Sequence, residues 1–174
     1  ALPAELRKSH QLAIVCSIQP ASRDALTRLA RQVGLDAADV VCTGFVPDED
    51  LLALYNLCRL FVFPSWHEGF GLPVLEAMRC GAPVIGANTS SVPEVIGWEE
   101  ALFDPKSDDA IAQHMQRGLT DEGYRQALIE HGTRQAGKFS WDRSGRCALD
   151  AIERRHEAWL AETREPEARS KRPK

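Results

Sequence analysis

The chain has 174 residues, 21 Lys and Arg against 25 Asp and Glu, a formal net charge of −4 at pH 7 and 44% hydrophobic residues. That length holds one domain with a full core and is short for two, and the acidic balance leaves no footprint for nucleic acid. No apolar run is long enough to span a bilayer and the first residues carry no signal-peptide pattern, so a soluble, cytoplasmic protein is expected.

Residues 2–9 have the character of the last turns of a helix, which implies chain upstream of Ala1. An apolar run from Gln11 places the first strand at 12–18, and apolar residues at 25, 26, 29, 30 and 33 place a helix over 21–33 that Gly34 stops. Val40, Val41, Cys42 and Thr43 form the next strand. A turn through Gly44, Phe45, Val46 and Pro47 follows, and Asp48 and Glu49 lead a helix presenting Leu51, Leu52, Leu54 and Tyr55. Residues 60–63, with Pro64 behind them, read as a buried parallel strand. Strands are also expected at 83–87 and 101–103, and helices at 108–119, 121–138 and 141–161, the last capped by Ser140. Ser91 with Glu94 three residues on reads as a capping box, so that loop is taken as structural. Strands and helices alternating at these lengths imply right-handed crossovers and a parallel sheet.

Five cysteines (16, 42, 58, 80 and 147) form no CxxC pair, and Cys16 and Cys42 sit in strand-like runs as small hydrophobes. The five histidines (10, 67, 114, 131 and 156) show no ligand spacing, so neither a metal nor another cofactor is expected. A basic tail, Arg169, Ser170, Lys171, Arg172, Pro173 and Lys174, could touch an anionic lipid surface as a peripheral membrane contact, although short terminal charge runs are commonly just solvated.

Residues 63–96 hold the chemistry. At their centre Glu68, Gly69, Phe70, Gly71, Leu72, Pro73, Val74, Leu75 and Glu76 place a glycine turn between two carboxylates. The turn leaves the carboxyl end of strand 60–63, the edge at which open α/β sheets bind ligands. The two glycines free the backbone and let a ligand approach it. Pro73 suits a first helical turn, and Gly81 as a left-handed C′ residue with Pro83 beyond ends that helix. Free N–H groups and the positive end of a helix dipole then face whatever sits above, which suits a phosphate oxygen. Unpaired carboxylates would repel phosphate, so Glu68 and Glu76 are read as accepting hydrogen bonds from hydroxyls beside it. Phosphate between two polyols describes a nucleotide-sugar. Taken alone, each glutamate could equally be a solvated loop residue or a dipole-complementing residue of the first helical turns.

The whole stretch is more specific than its parts. Pro64-Ser65, Glu68 through Pro73, Glu76-Ala77-Met78, Cys80-Gly81 with Pro83-Val84-Ile85, and Pro93-Glu94-Val95 resemble the carboxyl-terminal domain of retaining glycosyltransferases of the GT-B fold, family 4; the looser match runs over 11–159. The resemblance implies a Rossmann-like doubly wound parallel sheet over residues 1–160, with 161–174 as a polar, basic tail. It implies that Glu68 is catalytic, lying against the transferred sugar. It also implies that the amides of Gly69, Phe70, Gly71 and Leu72 meet sugar hydroxyls and diphosphate, and that Glu76 binds the ribose. The turn at Val46 would border the base through backbone groups. His67, next to Glu68, is read as shaping the pocket beside Trp66.

The function so implied is retaining transfer of a hexose from a nucleotide-diphosphate-sugar donor, with Trp66-His67-Glu68 similar to mannosyl members. The implied domain that binds acceptor, and the basic loop that holds diphosphate, are not among these residues. A non-catalytic nucleotide-sugar-binding module is the alternative. A hydrolase using Glu68 and Glu76 as its carboxylate pair, which would need them ~5 Å apart, is a third. In the resembled fold the first strand lies centrally, and nothing here corresponds to it. Strands 12–18 and 60–63 are therefore expected not to pair with each other, since the slot between them belongs to another strand.

Overall fold

The computed structural model describes residues 2–36 and 38–170. In chain order the elements are α1 (Ala4–Ser9), β1 (Leu12–Ile14), α2 (Pro20–Gln32), β2 (Val40–Cys42), α3 (Asp48–Leu57), β3 (Phe61–Phe63), α4 (Leu72–Arg79), β4 (Val84–Ala87), α5 (Val92–Ile96), a 3-10 turn (Glu99–Ala101), β5 (Leu102–Phe103), α6 (Asp108–Thr120), α7 (Glu122–Ala136) and α8 (Trp141–Ser170). One compact unit ends at Ala136 and a second begins at Gly137.

All strand pairs are parallel, in two sheets: β1 with β2, and β3, β4 and β5 in that order. The doubly wound sheet is divided where a central strand is missing, and, as expected, no ladder joins β1 to β3 among the described residues. β1 is shorter than the expected 12–18. The amide of Thr43 donates to Ile14 O at 3.1 Å, and Gly44, at φ +73°, then turns the partner chain away, leaving β1 nothing to pair with. Cys16 therefore lies beyond the strand and is exposed, not packed as a small hydrophobe. Ala101, expected in the last strand, lies in the 3-10 turn, its amide donating to Trp98 O at 3.1 Å.

The core belongs to the second sheet. β4 is buried along its whole length, as a strand paired on both edges and covered by helices must be. Val74, Ala77 and Met78 of α4, Val92, Val95 and Ile96 of α5, and Phe103 pack around Ile85, all at 2% exposure or less. Gly86 lets α5 approach the sheet: a Cβ there would stand 2.7 Å from Ile96 Cδ1 and 2.9 Å from Val92 Cγ1. α7 closes the α4 side, and Gly132 would place a Cβ 3.0 Å from Met78 Cγ. Trp98 is tilted against Tyr124 and His131 at 5.9 and 5.3 Å between ring centroids, and His131 Nε2 lies 2.7 Å from Ile96 O, so α5 is tied to α7. By contrast α1, α2, β1 and β2 contribute no buried residue, and Leu29 and Val33 stay more than half exposed.

In the second unit the amide of Arg143 donates to Ser140 Oγ at 3.2 Å, the expected cap of α8. That helix continues to Ser170, past the expected end near Ala161, so the tail over 161–170 is helical and only 171–174 of it lie outside the described residues. Among the described residues no helix is long and apolar enough to cross a membrane.

Candidate functional site

β3 ends at Phe63, and the chain from Pro64 to Gly71 forms the turn at its carboxyl end before α4 begins. Gly71 is the N-cap residue of α4, buried and left-handed at φ +92°, ψ +44°. A side chain would be strained in that backbone conformation. Gly69 is different. It has no positive φ, and a Cβ there would meet open space, so only one of the two glycines is conformationally required. Pro73 stands in the first turn of α4, and Gly81, at φ +76°, follows its C-cap residue, both as expected.

Hydroxyls hold the turn in place. Ser65 Oγ donates to Glu68 Oε1 at 2.6 Å. From the β4–α5 loop, Ser90 Oγ accepts from the Glu68 amide at 3.2 Å and donates to the Glu68 carbonyl at 2.7 Å, and Ser91 Oγ donates to the same carbonyl at 3.1 Å. Thr89 Oγ1 adds a longer bond of 3.4 Å to Trp66 O. Ser90 pays for this with a left-handed backbone, φ +57°, the non-glycine instance among the described residues. The expected capping box is therefore absent: Ser91 makes no side-chain cap of α5, because its hydroxyl is turned onto Glu68. A loop taken as structural for its own helix is instead a clamp on the backbone of Glu68.

Glu76 lies on the exposed side of α4, its Oε2 accepting from the Tyr55 hydroxyl at 3.0 Å. Tyr55 is 8% exposed and packs edge-on against Phe61, 5.5 Å between centroids. Burial first, then the hydrogen bond to Glu76 and its charge, push the phenol well above its usual range, so it stays protonated and donates.

Among the described residues the backbone amides of Gly69, Gly71 and Leu72 donate to no protein acceptor. Together with the start of α4 they face the turn as donors for an electron-rich ligand. Glu68 is half-buried, His67 is exposed, and Phe70 and Leu72 present apolar surface at 40% and 42% exposure. Val46 sits apart in sequence and sheet, half-buried on the turn after β2. Lys106, unremarked in the sequence, stands 5.8 Å over the Trp66 ring. Tyr55, Ser90 and Ser91 were legible only as an apolar helix position and a loop; their bonds span 21 to 23 residues and leave no local signal.

If the clamp is what orders the turn, Ser90→Ala should speed hydrogen exchange at the Glu68 amide by roughly tenfold, the worth of about one net hydrogen bond. Ser90→Gly, which removes the backbone strain and the same hydroxyl, should do the same. Protection preserved in the glycine variant would assign the order to something other than the hydroxyl.

Fold and turn together define the carboxyl-terminal domain of a GT-B glycosyltransferase. The family described as glycosyl transferases group 1 matches residues 2–135, and the chain belongs to it. Among relatives, the serotype-specific mannosyltransferase WbdA of Escherichia coli is 48% identical over 88% of the chain, and the O-antigen chain mannosyltransferase B of Escherichia coli is 42% identical over 81%. The chain spans 19% of the first and 36% of the second. A solved carboxyl-terminal domain of a glycosyl transferase group 1 family protein (LpcC) from Francisella tularensis superposes with a TM-score of 0.65 at 26% identity, covering 74% of this chain and 68% of that one.

Proposed function

We propose that the protein carrying this chain transfers a hexose from a nucleotide-diphosphate-sugar with retention of configuration, and that these residues bind the donor. The observation that carries the reading is the Glu68 turn, clamped by Ser65, Ser90 and Ser91 and followed by the open amides of Gly69, Gly71 and Leu72. Glu68 lies against the transferred sugar in this reading, the amides of Gly69 to Leu72 receive sugar hydroxyls and diphosphate, and Glu76 takes the ribose. Val46 borders the base and His67 shapes the pocket. Preorganised amides favour a departing diphosphate because its charge grows against dipoles that need not reorganise. Mannose is the sugar favoured by the names of the two Escherichia coli relatives.

The test is donor turnover by the full-length protein, offering GDP-, UDP- and ADP-hexoses with a mannose-terminated oligosaccharide as acceptor. Transfer with the product's anomeric configuration matching the donor's is expected; an inverted product, or no transfer from any donor, refutes the reading.

Two further outcomes follow. The 174-residue chain by itself should give no multiple-turnover transfer, because an acceptor-binding domain and cationic groups for diphosphate are proposed to lie outside these residues; turnover by the pure chain would overturn this. A parallel strand from elsewhere in the protein should also lie between β1 and β3, each of which has one edge without a ladder partner among the described residues, since backbone groups left unpaired are costly. Coordinates of the longer protein with β1 laddered directly onto β3 would refute that.

A further inference from the structure

Tyr55 joins two elements that differ in exposure. Its ring is buried on α3 and its hydroxyl reaches the carboxylate of an exposed residue on α4. A buried phenol needs an acceptor, but a backbone carbonyl would serve. Here the acceptor is a long, flexible side chain, and only one of its two oxygens is engaged. Among the described residues Glu76 Oε1 has no protein partner. The bond therefore removes rotamer freedom from Glu76 before any ligand arrives and leaves one oxygen unspent.

We infer that Tyr55 is a positioning residue for donor recognition: by holding Glu76 Oε2 it presents Glu76 Oε1 in one orientation to the vicinal diol of the donor's ribose. The inference rests on the ribose role proposed for Glu76. A carboxylate accepting from a diol gains when its direction is already set, since the ordering cost has been met in the free protein. The ring is held in turn by Phe61, edge-on at 5.5 Å between centroids, and the Tyr55 backbone by Cys58 Sγ, which donates to its carbonyl at 3.3 Å. The phenol's protonated state gives the bond a fixed direction across the working pH range.

The effect belongs to ground-state binding, so it should appear in KM and spare kcat. In the full-length protein, with the best donor of the GDP-, UDP- and ADP-hexose panel, Tyr55→Phe is expected to raise donor KM about fivefold to tenfold with kcat within about twofold. In a Glu76→Ala background the same change should add nothing, and with a 2′,3′-dideoxyribose donor it should have no effect. para-Aminophenylalanine at position 55, which keeps the ring and restores a donor, should return KM toward wild type and serves also if the Phe variant fails to fold. Unchanged KM in Tyr55→Phe while Glu76→Ala raises it would overturn the role of Tyr55. So would additive losses in the double variant, or a para-aminophenylalanine protein that keeps the high KM. Unchanged KM in Glu76→Ala would instead overturn the ribose reading itself.

Discussion

Replacing Glu68 with alanine in the full-length protein is expected to lower kcat by roughly tenfold to a hundredfold and leave donor KM within about threefold. A hydrogen bond to a charged group is worth ~1.5–3 kcal/mol, and the proposed function places this one at the reacting sugar, where contacts can strengthen as the bond to the leaving group breaks. Ser65 already holds Oε1 at 2.6 Å, so the carboxylate needs no reorganisation on binding. Glu76→Ala should behave oppositely, raising donor KM about tenfold with kcat nearly intact, because the ribose contact proposed for it would be equal in ground and transition states. Steady-state kinetics with both variants check the pair of roles. A Glu68 variant altered chiefly in KM, or a Glu76 variant altered chiefly in kcat, would reverse the assignment.

Gly97→Ala is expected to destabilise the first unit by about 2–4 kcal/mol and lower its melting temperature by roughly 5–15 °C. Gly97 ends α5 in a left-handed conformation, φ +65°, which costs a non-glycine residue about 1–2 kcal/mol. Its Cβ would also stand 2.5 Å from Gln135 Nε2 and 2.7 Å from Cδ. Gln135 is 6% exposed and its amide donates to Glu94 O at 3.2 Å, so moving aside breaks a buried hydrogen bond. Thermal denaturation of Gly97→Ala, Gln135→Ala and the double variant separates the causes. A double variant less destabilised than the sum of the singles supports the clash, whereas strict additivity would leave only backbone strain. The result bears on function because α5 follows the loop whose serines hold Glu68.

Periodicity and punctuation located the elements well where the chain's own neighbours decide them. Pro73 and Gly81 bound α4 as expected, and Ser140 caps α8. The errors occur where a partner distant in sequence decides. β1 stops early because its pairing strand turns away at Gly44, and Ser91 abandons its own helix because Glu68 O offers an acceptor. Local propensity contains neither fact.

By itself the sequence determined the order of parallel strands and helices, the glycine turn between Glu68 and Glu76 and the family resemblance, because hydrophobic period, turn chemistry and a dense motif are all local properties. Only the tertiary structure decided that the core gathers around β4 alone, that a hydroxyl from α3 holds one oxygen of Glu76, and that hydroxyls from the β4–α5 loop hold the backbone of Glu68. Tyr55 reaches Glu76 across 21 residues and Ser90 reaches Glu68 across 22. Such pairings arise when packed elements bring polar groups together and burial makes an unmet hydrogen bond costly, which no spacing along the chain can encode.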